Sequence, residues 1–290
     1  MITRSSLTHI RLPFSYFLLP IYLLALVSAN SFNPVKAWIV FFVLHFLLYT
    51  ASNGFNSFYD RDKESIGSLL RPPAVTPDLL WLSLALDAAA VAVAFFVGWQ
   101  FACGCFIYGL GSKAYSWDKI RIKKRPLIGW LWAGIGQGTL TFLLVVLSVK
   151  GTLLSDVAGF GVWFPAMAAG FFILGIFPIT QIYQHGEDGR RGDVTISLKL
   201  GVRGTFLLSA SFMAASVAVY FSYFLLSRGA MIAAWFLAST APAAIYFLRW
   251  FILAWKDGAK ADYCRAMRMC ILASTGLNVF GLAVLFQSNG

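Results

Sequence analysis

Apolar residues are grouped along the chain into nine long stretches that alternate with short polar segments. Most have the length of about 17–25 residues that an α-helix needs to cross a bilayer, and the fourth is shorter. They span residues 12–29, 37–56, 79–98, 101–115, 127–149, 164–183, 205–226, 231–255 and 267–286. Strand-like alternation of polar and apolar residues does not compete with this pattern. The sequence therefore predicts an all-α, polytopic membrane protein with nine transmembrane helices.

Positive charges are concentrated on one side of the predicted bundle. Of the 23 Lys and Arg residues, all but Lys36, Lys150 and Arg228 belong to the N-terminal tail or lie in or near the loops after even-numbered stretches. By the positive-inside rule, these segments and the N-terminus lie in the cytoplasm and the C-terminus lies outside. The net charge of +11 then reflects topology and contact with anionic membrane lipid. We expect no nucleic-acid partner.

Composition supports a single membrane domain over residues 1–290. The chain is 59% hydrophobic, and its mean hydropathy of +0.74 is too high for an ordinary soluble domain. Its four cysteines lack the spacing of zinc or haem motifs, so we interpret them as packing residues. Residues 12–29 lack a small-x-small cleavage site, so we interpret this stretch as the first helix and not as a cleaved leader.

An acidic segment follows the second apolar stretch. If that helix continues, Asn56, Asp60 and Glu64 lie on one face at steps of four residues. Asn53, Tyr49 and His45 extend the same polar stripe into the apolar helix. Asp62 points away from this face and is a weaker candidate. Carboxylates this close repel one another unless a cation lies between them.

A second polar cluster follows the sixth apolar stretch, in a segment on the same side. Gln181, Gln184 and Asp188 recur at helical spacing, Glu187 lies beside them, and Asp193 follows. We expect Asp193 to order this loop by pairing with Arg190 or Arg191. The third stretch contains Asp87, an acid inside the predicted hydrocarbon region, which we expect to bind another helix by a hydrogen bond.

Carboxylate and amide oxygens are the ligands that Mg²⁺ prefers, together with water and phosphate oxygens. Two acidic motifs flanked by Lys and Arg fit a diphosphate bridged to the protein by Mg²⁺. A cavity rich in apolar and aromatic residues fits a hydrocarbon tail. The residues therefore predict an isoprenoid diphosphate substrate. Loss of the diphosphate leaves an allylic carbocation, which aromatic rings can stabilise.

Both motifs resemble those of the UbiA superfamily of intramembrane prenyltransferases. NSFYDRDKE (residues 56–64) is similar to the first motif, NxxxDxxxD, with Glu64 in place of the last Asp. Arg71-Pro72 and the KKRP of residues 123–126 also match the family pattern. The second region is similar to DxxxD, but Gln184 stands where the family has Asp. The resemblance implies a helical bundle around a central cavity and Mg²⁺-dependent transfer of a prenyl chain to an aromatic, quinone-precursor-like acceptor.

The resemblance also implies roles for particular residues. Those expected to act in catalysis are Asn56, Asp60, Glu64 and Asp188. Those expected to bind Mg²⁺ are Asp60, Glu64, Glu187 and Asp188. Those expected to bind the polyprenyl diphosphate or the acceptor are Asn53, Arg71, Tyr115, Lys119, Lys124, Arg125 and Gln184. The expected location is the bacterial inner membrane.

Four other interpretations stay open at this point. A terpene cyclase on the same scaffold would capture the carbocation internally. A transporter or channel predicts polar groups near the bilayer midplane on several helices, where only Asp87 and His45 qualify. A non-enzymatic relative would bind a lipid diphosphate without turnover, which the Gln184 departure allows. In the fourth interpretation, the charged loop residues only solvate the membrane surface and bind no ligand.

Overall fold

The computed structural model describes residues 2–156 and 159–288. These residues form helices and connecting loops, with no β-strand among them. The nine principal helices are α1 Arg4–Ala29, α2 Pro34–Asp60, α3 Asp78–Ala94, α4 Trp99–Ser116, α5 Pro126–Lys150, α6 Phe160–Arg191, α7 Ile196–Arg228, α8 Ala230–Lys256 and α9 Tyr263–Ser288. The prediction of an all-α membrane bundle is confirmed.

Seven of these helices in the described residues are long and apolar enough to cross a membrane. The other two are α3 and α4, which have 17 and 18 residues. They correspond to the third and fourth apolar stretches of the sequence, of which the fourth was expected to be short. The described residues therefore contain a helix at each of the nine predicted positions, and seven of these helices qualify as candidate membrane spans.

Helix α1 lies in the middle of the bundle. Every residue from Pro20 to Ala29 is buried, and this part of α1 packs against α5, α6 and α9. A helix that is apolar on all sides is stable only when neighbours cover all of it. Near its start α1 is interrupted at Arg11, which adopts the left-handed conformation with φ of 48°, and a tight 3-10 segment follows over Leu12–Leu18.

Two helices contain a widened π-helical segment, Val43–Leu48 in α2 and Gly134–Leu140 in α5. Such segments insert an extra residue into a turn and often occur at functional sites. Each of these segments carries a polar residue, His45 in α2 and Gln137 in α5. His45 is buried against the ring of Phe41, at a centroid distance of 4.8 Å.

Helices α5 and α6 cross at small residues, Gly138 on α5 and Gly170 on α6. A Cβ atom on Gly138 would lie 2.6 Å from Gly170 Cα and 2.6 Å from the backbone oxygen of Ala169. These separations are shorter than van der Waals contact, so the two backbones approach as closely as glycine allows.

Asp87 on α3 forms an ion pair with Lys113 on α4. Asp87 therefore contacts another helix as expected, but through an ion pair and not through the expected hydrogen bond. The sequence analysis counted Lys113 with the basic loop after the fourth stretch, but the residue lies on α4, which continues to Ser116. The ammonium group of Lys113 also lies 5.3 Å from the centre of the Phe55 ring on α2.

The cations of the predicted outer side, Lys36, Lys150 and Arg228, lie at one end of the bundle. The start of α2 meets the end of α5, where Asn33 N donates to the Val149 carbonyl oxygen at 3.0 Å. Arg228 donates to the Val27 carbonyl oxygen at 2.8 Å, at the end of α1. The opposite end of the bundle holds the basic loops and both acidic motifs.

Replacing Gly138 with Ala is expected to lower the free energy of unfolding by about 1–3 kcal/mol, because the added methyl group overpacks the α5–α6 crossing. Thermal unfolding of the purified protein in detergent measures this loss. Gly161→Ala is the matched control, since nothing lies within 4 Å of its added Cβ and Ala favours a helix. Unfolding of the G138A protein at the wild-type temperature would contradict the close crossing.

Candidate functional site

A cavity at the basic end of the bundle brings the two acidic motifs together. Its walls come from α1, α2, α4, α5 and α6, and from the loops after α2, α4 and α6. Asp60 and Asp62 line it from the first motif, and Asp188 lines it from the second. All three side chains are buried. The two motifs, far apart in the chain, thus share one cavity, as the sequence analysis expected.

Helix α2 ends at Asp60, and this changes which carboxylates reach the cavity. Arg61 adopts the left-handed conformation and caps the helix, so the chain turns before Glu64. The prediction that Glu64 continues the helix face of Asn56 and Asp60 is wrong for this reason. Its side chain is 51% exposed and pairs with Arg190. Asp62, the weaker candidate in the sequence, lines the cavity instead.

Asp60 is surrounded by donors. Asn56 Nδ2 donates to Asp60 Oδ2 at 2.8 Å, and Lys123 Nζ lies 2.7 Å from the same oxygen. Arg121 lies 3.1 Å from Asp60 Oδ1. Lys123 and Arg121 come from the basic loop between α4 and α5 and are themselves buried. This loop therefore faces the acidic motif, and its charges are compensated inside the protein.

Asp193 holds this arrangement from the α6–α7 loop and is completely buried. Arg121 binds both of its carboxylate oxygens at 2.8 Å, and Lys123 lies 3.0 Å from Asp193 Oδ2. Burial alone would raise the pKa of Asp193. Hydrogen bonds from Arg121 and attraction to Lys123 outweigh burial, so its pKa is lowered. Asp193 orders the loop as expected, although Arg121 is its main partner; Arg191 is 3.9 Å away.

Asp62 has a less favourable environment. Burial and repulsion from Asp60 raise its pKa, although Arg191 opposes both effects. Arg191 donates to Asp62 Oδ1 at 2.8 Å. A raised pKa means that the folded protein disfavours this negative charge, so an added cation near Asp62 would be stabilising.

Asp188 differs from the other two acids of the cavity. Its nearest donor is the hydroxyl group of Thr195, at a long 3.4 Å. Within the described part of the chain it forms no ion pair, whereas Asp60 and Asp62 each form at least one. A buried carboxylate without a cation is unfavourable unless a ligand supplies one.

Glu187 joins the two motifs through the backbone. Its carboxylate accepts hydrogen bonds from the backbone N–H groups of Lys63 at 2.8 Å and Glu64 at 3.1 Å. Both oxygens are thereby occupied, and Glu187 is not among the described residues that line the cavity. In this structure Glu187 fixes the loop after α2 against the end of α6.

Arg11 is a cavity residue that the sequence analysis did not select. Its guanidinium donates to the Asn53 carbonyl oxygen at 3.2 Å and to Asn56 Oδ1 at 3.3 Å. It is 7% exposed, and its Nε has no hydrogen-bond partner among the described residues. No carboxylate of the described chain pairs with it either. A buried cation with only neutral partners provides a binding site for an anion.

The predicted binding residues divide into two groups. Asn53, Tyr115 and Gln184 line the cavity. The other four are exposed and do not belong to the described lining, and these are Arg71, Lys119, Lys124 and Arg125. Lys119 lies instead over the ring of Trp117, at 5.5 Å.

Lys123 and Arg121, and not their neighbours, are the buried cations of the α4–α5 loop. A short 3-10 turn over Ile122–Lys124, preceded by a left-handed Arg121, decides which side chains point inward. The sequence marked the segment by its charge density, but no periodic signal distinguished Lys123 from Lys124.

The oxygen atoms of the cavity fit a hard divalent cation bound together with a phosphorylated ligand. Asp188 offers a carboxylate without a cation, and Asp62 and Gln184 provide further oxygens in the same cavity. No three His, Cys, Asp or Glu side chains of the described residues are grouped closely enough to hold a metal by themselves. Phosphate oxygens or water would have to complete the shell, as is usual for Mg²⁺.

The fold and this cavity define an integral membrane protein with buried carboxylates and buried cations together at one end of its bundle. The model of the UbiA prenyltransferase family matches residues 17–272. The chain belongs to this family, which confirms the resemblance seen in its motifs. No curated protein is significantly similar to the sequence.

Solved structures show the same fold. A UbiA homologue from Archaeoglobus fulgidus, bound to DMAPP and Mg²⁺, has a TM-score of 0.69 and 16% identity, covering 97% of this chain and 99% of that chain. An apo UbiA homologue from Aeropyrum pernix K1 has a TM-score of 0.69 and 20% identity, with coverage of 95% and 98%. A digeranylgeranylglyceryl phosphate synthase has a TM-score of 0.61 and 18% identity, with coverage of 98% of each chain.

Replacing Asp193 with Asn is expected to destabilise the protein by about 3–5 kcal/mol, because it leaves Arg121 and Lys123 buried without full compensation. Thermal unfolding in detergent measures the loss. Asp118→Asn is the matched control, because Asp118 pairs with the same Arg121 at 2.7 Å but is 66% exposed. It is expected to cost less than about 1 kcal/mol, and equal losses in the two variants would contradict this account.

The contribution of Asp193 to the free energy of unfolding is also expected to depend on pH. The pKa of Asp193 is lowered in the folded state. Its charge therefore stabilises the fold fully at pH values above the unfolded-state pKa of about 3.9. That effect is lost as the pH falls through the lowered folded-state value. The difference in unfolding free energy between wild type and D193N should therefore be constant from about pH 8 to pH 5 and decrease below about pH 4. A difference that disappears near neutral pH would refute this assignment.

Proposed function

We propose that the protein transfers a prenyl chain from a polyprenyl diphosphate to an aromatic, quinone-precursor-like acceptor within the membrane, in a reaction that requires Mg²⁺. The observation that carries this proposal is the meeting of Asp60, Asp62 and Asp188 with buried Arg11 and Lys123 in one cavity. Membership of the UbiA prenyltransferase family supports it. Structures of the Archaeoglobus fulgidus homologue bound to DMAPP or GPP with Mg²⁺ support the ligand class.

The charged residues would divide the binding of the diphosphate between them. Asp188 and Asp62, with Gln184, would hold Mg²⁺, and Arg11 would bind phosphate oxygens directly. Lys123 would attract the diphosphate more weakly than Arg11, since Asp60 and Asp193 already neutralise part of its charge. When bound, Mg²⁺ stabilises the negative charge that develops on the departing diphosphate. Asn56 would keep Asp60 oriented through its 2.8 Å hydrogen bond.

The reaction breaks the allylic C–O bond of the donor, and the electron pair leaves with the diphosphate. A carbon of the acceptor ring then forms a C–C bond with the prenyl cation and loses a proton. Aromatic side chains of the cavity, among them Tyr115, Trp132 and Phe177, would stabilise the cation by cation–π attraction and exclude water from it.

The same proposal includes the orientation in the membrane. The basic loops surround the cavity and the opposite end carries Lys36, Lys150 and Arg228, so the positive-inside rule favours a cytoplasmic opening. The N-terminus would be cytoplasmic and the C-terminus outside, in a bacterial inner membrane.

Asp188→Asn and Arg11→Gln are expected to reduce prenyl transfer by at least about 100-fold, because Asp188 would hold the Mg²⁺ that neutralises the leaving diphosphate and Arg11 would bind its oxygens directly. The assay incubates membranes containing the protein with radiolabelled geranyl or longer prenyl diphosphates and a panel of phenols and quinols. Chelating the metal should abolish turnover, and Mg²⁺ should restore it.

Asp257→Asn and Arg249→Gln are the matched controls, since both residues are exposed on other elements at the same end of the bundle, and they should retain wild-type rates. A cyclic product formed without an acceptor would favour the terpene cyclase. Binding of the donor without any turnover would favour the non-enzymatic relative. Undiminished transfer by D188N would exclude the proposed site.

A further inference from the structure

Helices α8 and α9 form a groove on the outer surface of the bundle, where their lipid-facing sides meet. The two helices pack closely, since a Cβ atom on Gly276 would lie 2.2 Å from the backbone oxygen of Ser239. Nearer the basic end, the hydroxyl group of Tyr246 on α8 donates to the Arg265 carbonyl oxygen on α9 at 3.3 Å. None of the cavity-lining residues belongs to α8 or α9, so the groove is separate from the cavity.

Three cations lie beside this groove at its basic end, and we call them the groove cations: Arg249, Lys256 and Arg268. Arg249 follows Tyr246 by three residues and therefore lies one turn farther on the same side of α8. Lys256 follows Arg249 by seven residues and shares its helix face. Arg268 of α9 lies near the Tyr246 hydroxyl group. All three cations are exposed, so they line the outer side of the α8–α9 contact.

The groove cations have no compensating charge within the protein. Their side chains form no ion pair and no hydrogen bond with any other residue of the described chain. The acids of the α8–α9 loop are Asp257 and Asp262, and both pair with other cations. Three neighbouring positive charges without a partner repel one another and attract an anion.

Two of the groove cations lie inside the membrane-spanning parts of their helices. Arg249 precedes the last residue of α8 by seven positions, about 10 Å. Arg268 follows the first residue of α9 by five positions, about 7.5 Å. A charge on a lipid-facing surface is unfavourable unless its long side chain reaches the interface and meets a counter-ion there. Lipid phosphates are the anions of that interface.

The groove is apolar on the side of the cations that faces the membrane centre. Ile245 on α8 and Ile271 and Val279 on α9 are exposed there. Ile271 follows Arg268 by three residues, so the apolar surface begins one turn away from the charge. A ligand with an anionic head and a hydrocarbon tail matches both parts of the groove, whereas a free phosphate ion matches the cations alone.

We propose that the groove between α8 and α9 binds one anionic phospholipid. Its phosphate contacts Arg249 and Arg268, and one acyl chain lies along the exposed Ile245 and Ile271. A zwitterionic lipid carries its own cation beside the phosphate, and the groove cations repel it. The groove therefore prefers a lipid with a net negative charge, as basic pockets between membrane helices do. This inference does not depend on the proposed prenyl transfer.

Native mass spectrometry of the detergent-purified protein tests the inference. The probes are dioleoylphosphatidylglycerol and dioleoylphosphatidylcholine, which have the same acyl chains but differ in net charge. Wild type is expected to bind one phosphatidylglycerol at least about tenfold more tightly than phosphatidylcholine. The double variant R249Q/R268Q keeps polar side chains without their charges. Its affinity for phosphatidylglycerol should fall to that for phosphatidylcholine.

The double variant R4Q/K63Q is the matched control. Arg4 and Lys63 are exposed on other elements at the same end of the bundle, so this variant loses the same net charge and should keep the wild-type preference. Equal losses in the two double variants would show that net charge alone attracts the lipid, and they would overturn the inference. Wild-type protein that binds both lipids equally would overturn it as well.

Two further measurements identify a different occupant of the groove. Displacement of phosphatidylglycerol by millimolar inorganic phosphate would mean that the acyl chains contribute nothing to binding. A dimer that forms only when lipid is absent, and that R249Q/R268Q abolishes, would assign the groove to a second copy of the chain. Either result would contradict the proposal. The single variant R268Q, which should lose part of the preference, replaces the double variant if that protein does not fold.

Discussion

Charges buried in a membrane bundle must be compensated, and four residues do most of this at the cavity. Arg121 and Lys123 bind Asp60 and Asp193, so that three separate segments of the chain meet through charge-assisted hydrogen bonds. These segments are the end of α2, the α4–α5 loop and the α6–α7 loop. Neither loop contains regular structure long enough to position itself, so the ionic cluster determines where the cavity walls lie.

This cluster uses charges that pair with opposite charges inside the protein, whereas Arg11 and Asp188 have only uncharged hydrogen-bond partners in the described chain. The two kinds of charge have different consequences. Compensated charges hold the scaffold in place before any ligand arrives. Uncompensated charges of opposite sign in the same cavity are suited to a ligand that carries both signs itself, as a metal-bound diphosphate does.

The sequence predicted the parts of this structure that depend on long apolar runs or on composition. All nine helices, the asymmetry of charge and the meeting of the two acidic motifs follow from such patterns. Glu64 was assigned to the wrong surface because one left-handed residue, Arg61, ends α2 four residues earlier than the polar stripe suggested.

The selection of cations failed for a similar local reason. Lys123 and Lys124 are adjacent and chemically identical, and a single 3-10 turn buries the first and exposes the second. Arg11 gave no periodic signal, since the helix is broken at that residue. Hydrophobic patterns determine where helices pass through the bilayer, but single-residue backbone geometry determines which polar side chains point inward.

The ion pair between Asp87 and Lys113 has a consequence for how the protein enters the membrane. It joins α3 and α4, the two shortest of the principal helices, and on α3 alone the mid-helix Asp87 would be an uncompensated charge, at a cost of about 2.5–3.5 kcal/mol at a membrane helix centre. The two charges neutralise each other only when both helices are in the bilayer. We therefore expect the insertion of α3 and α4 to be coupled, with both helices entering as a helical hairpin.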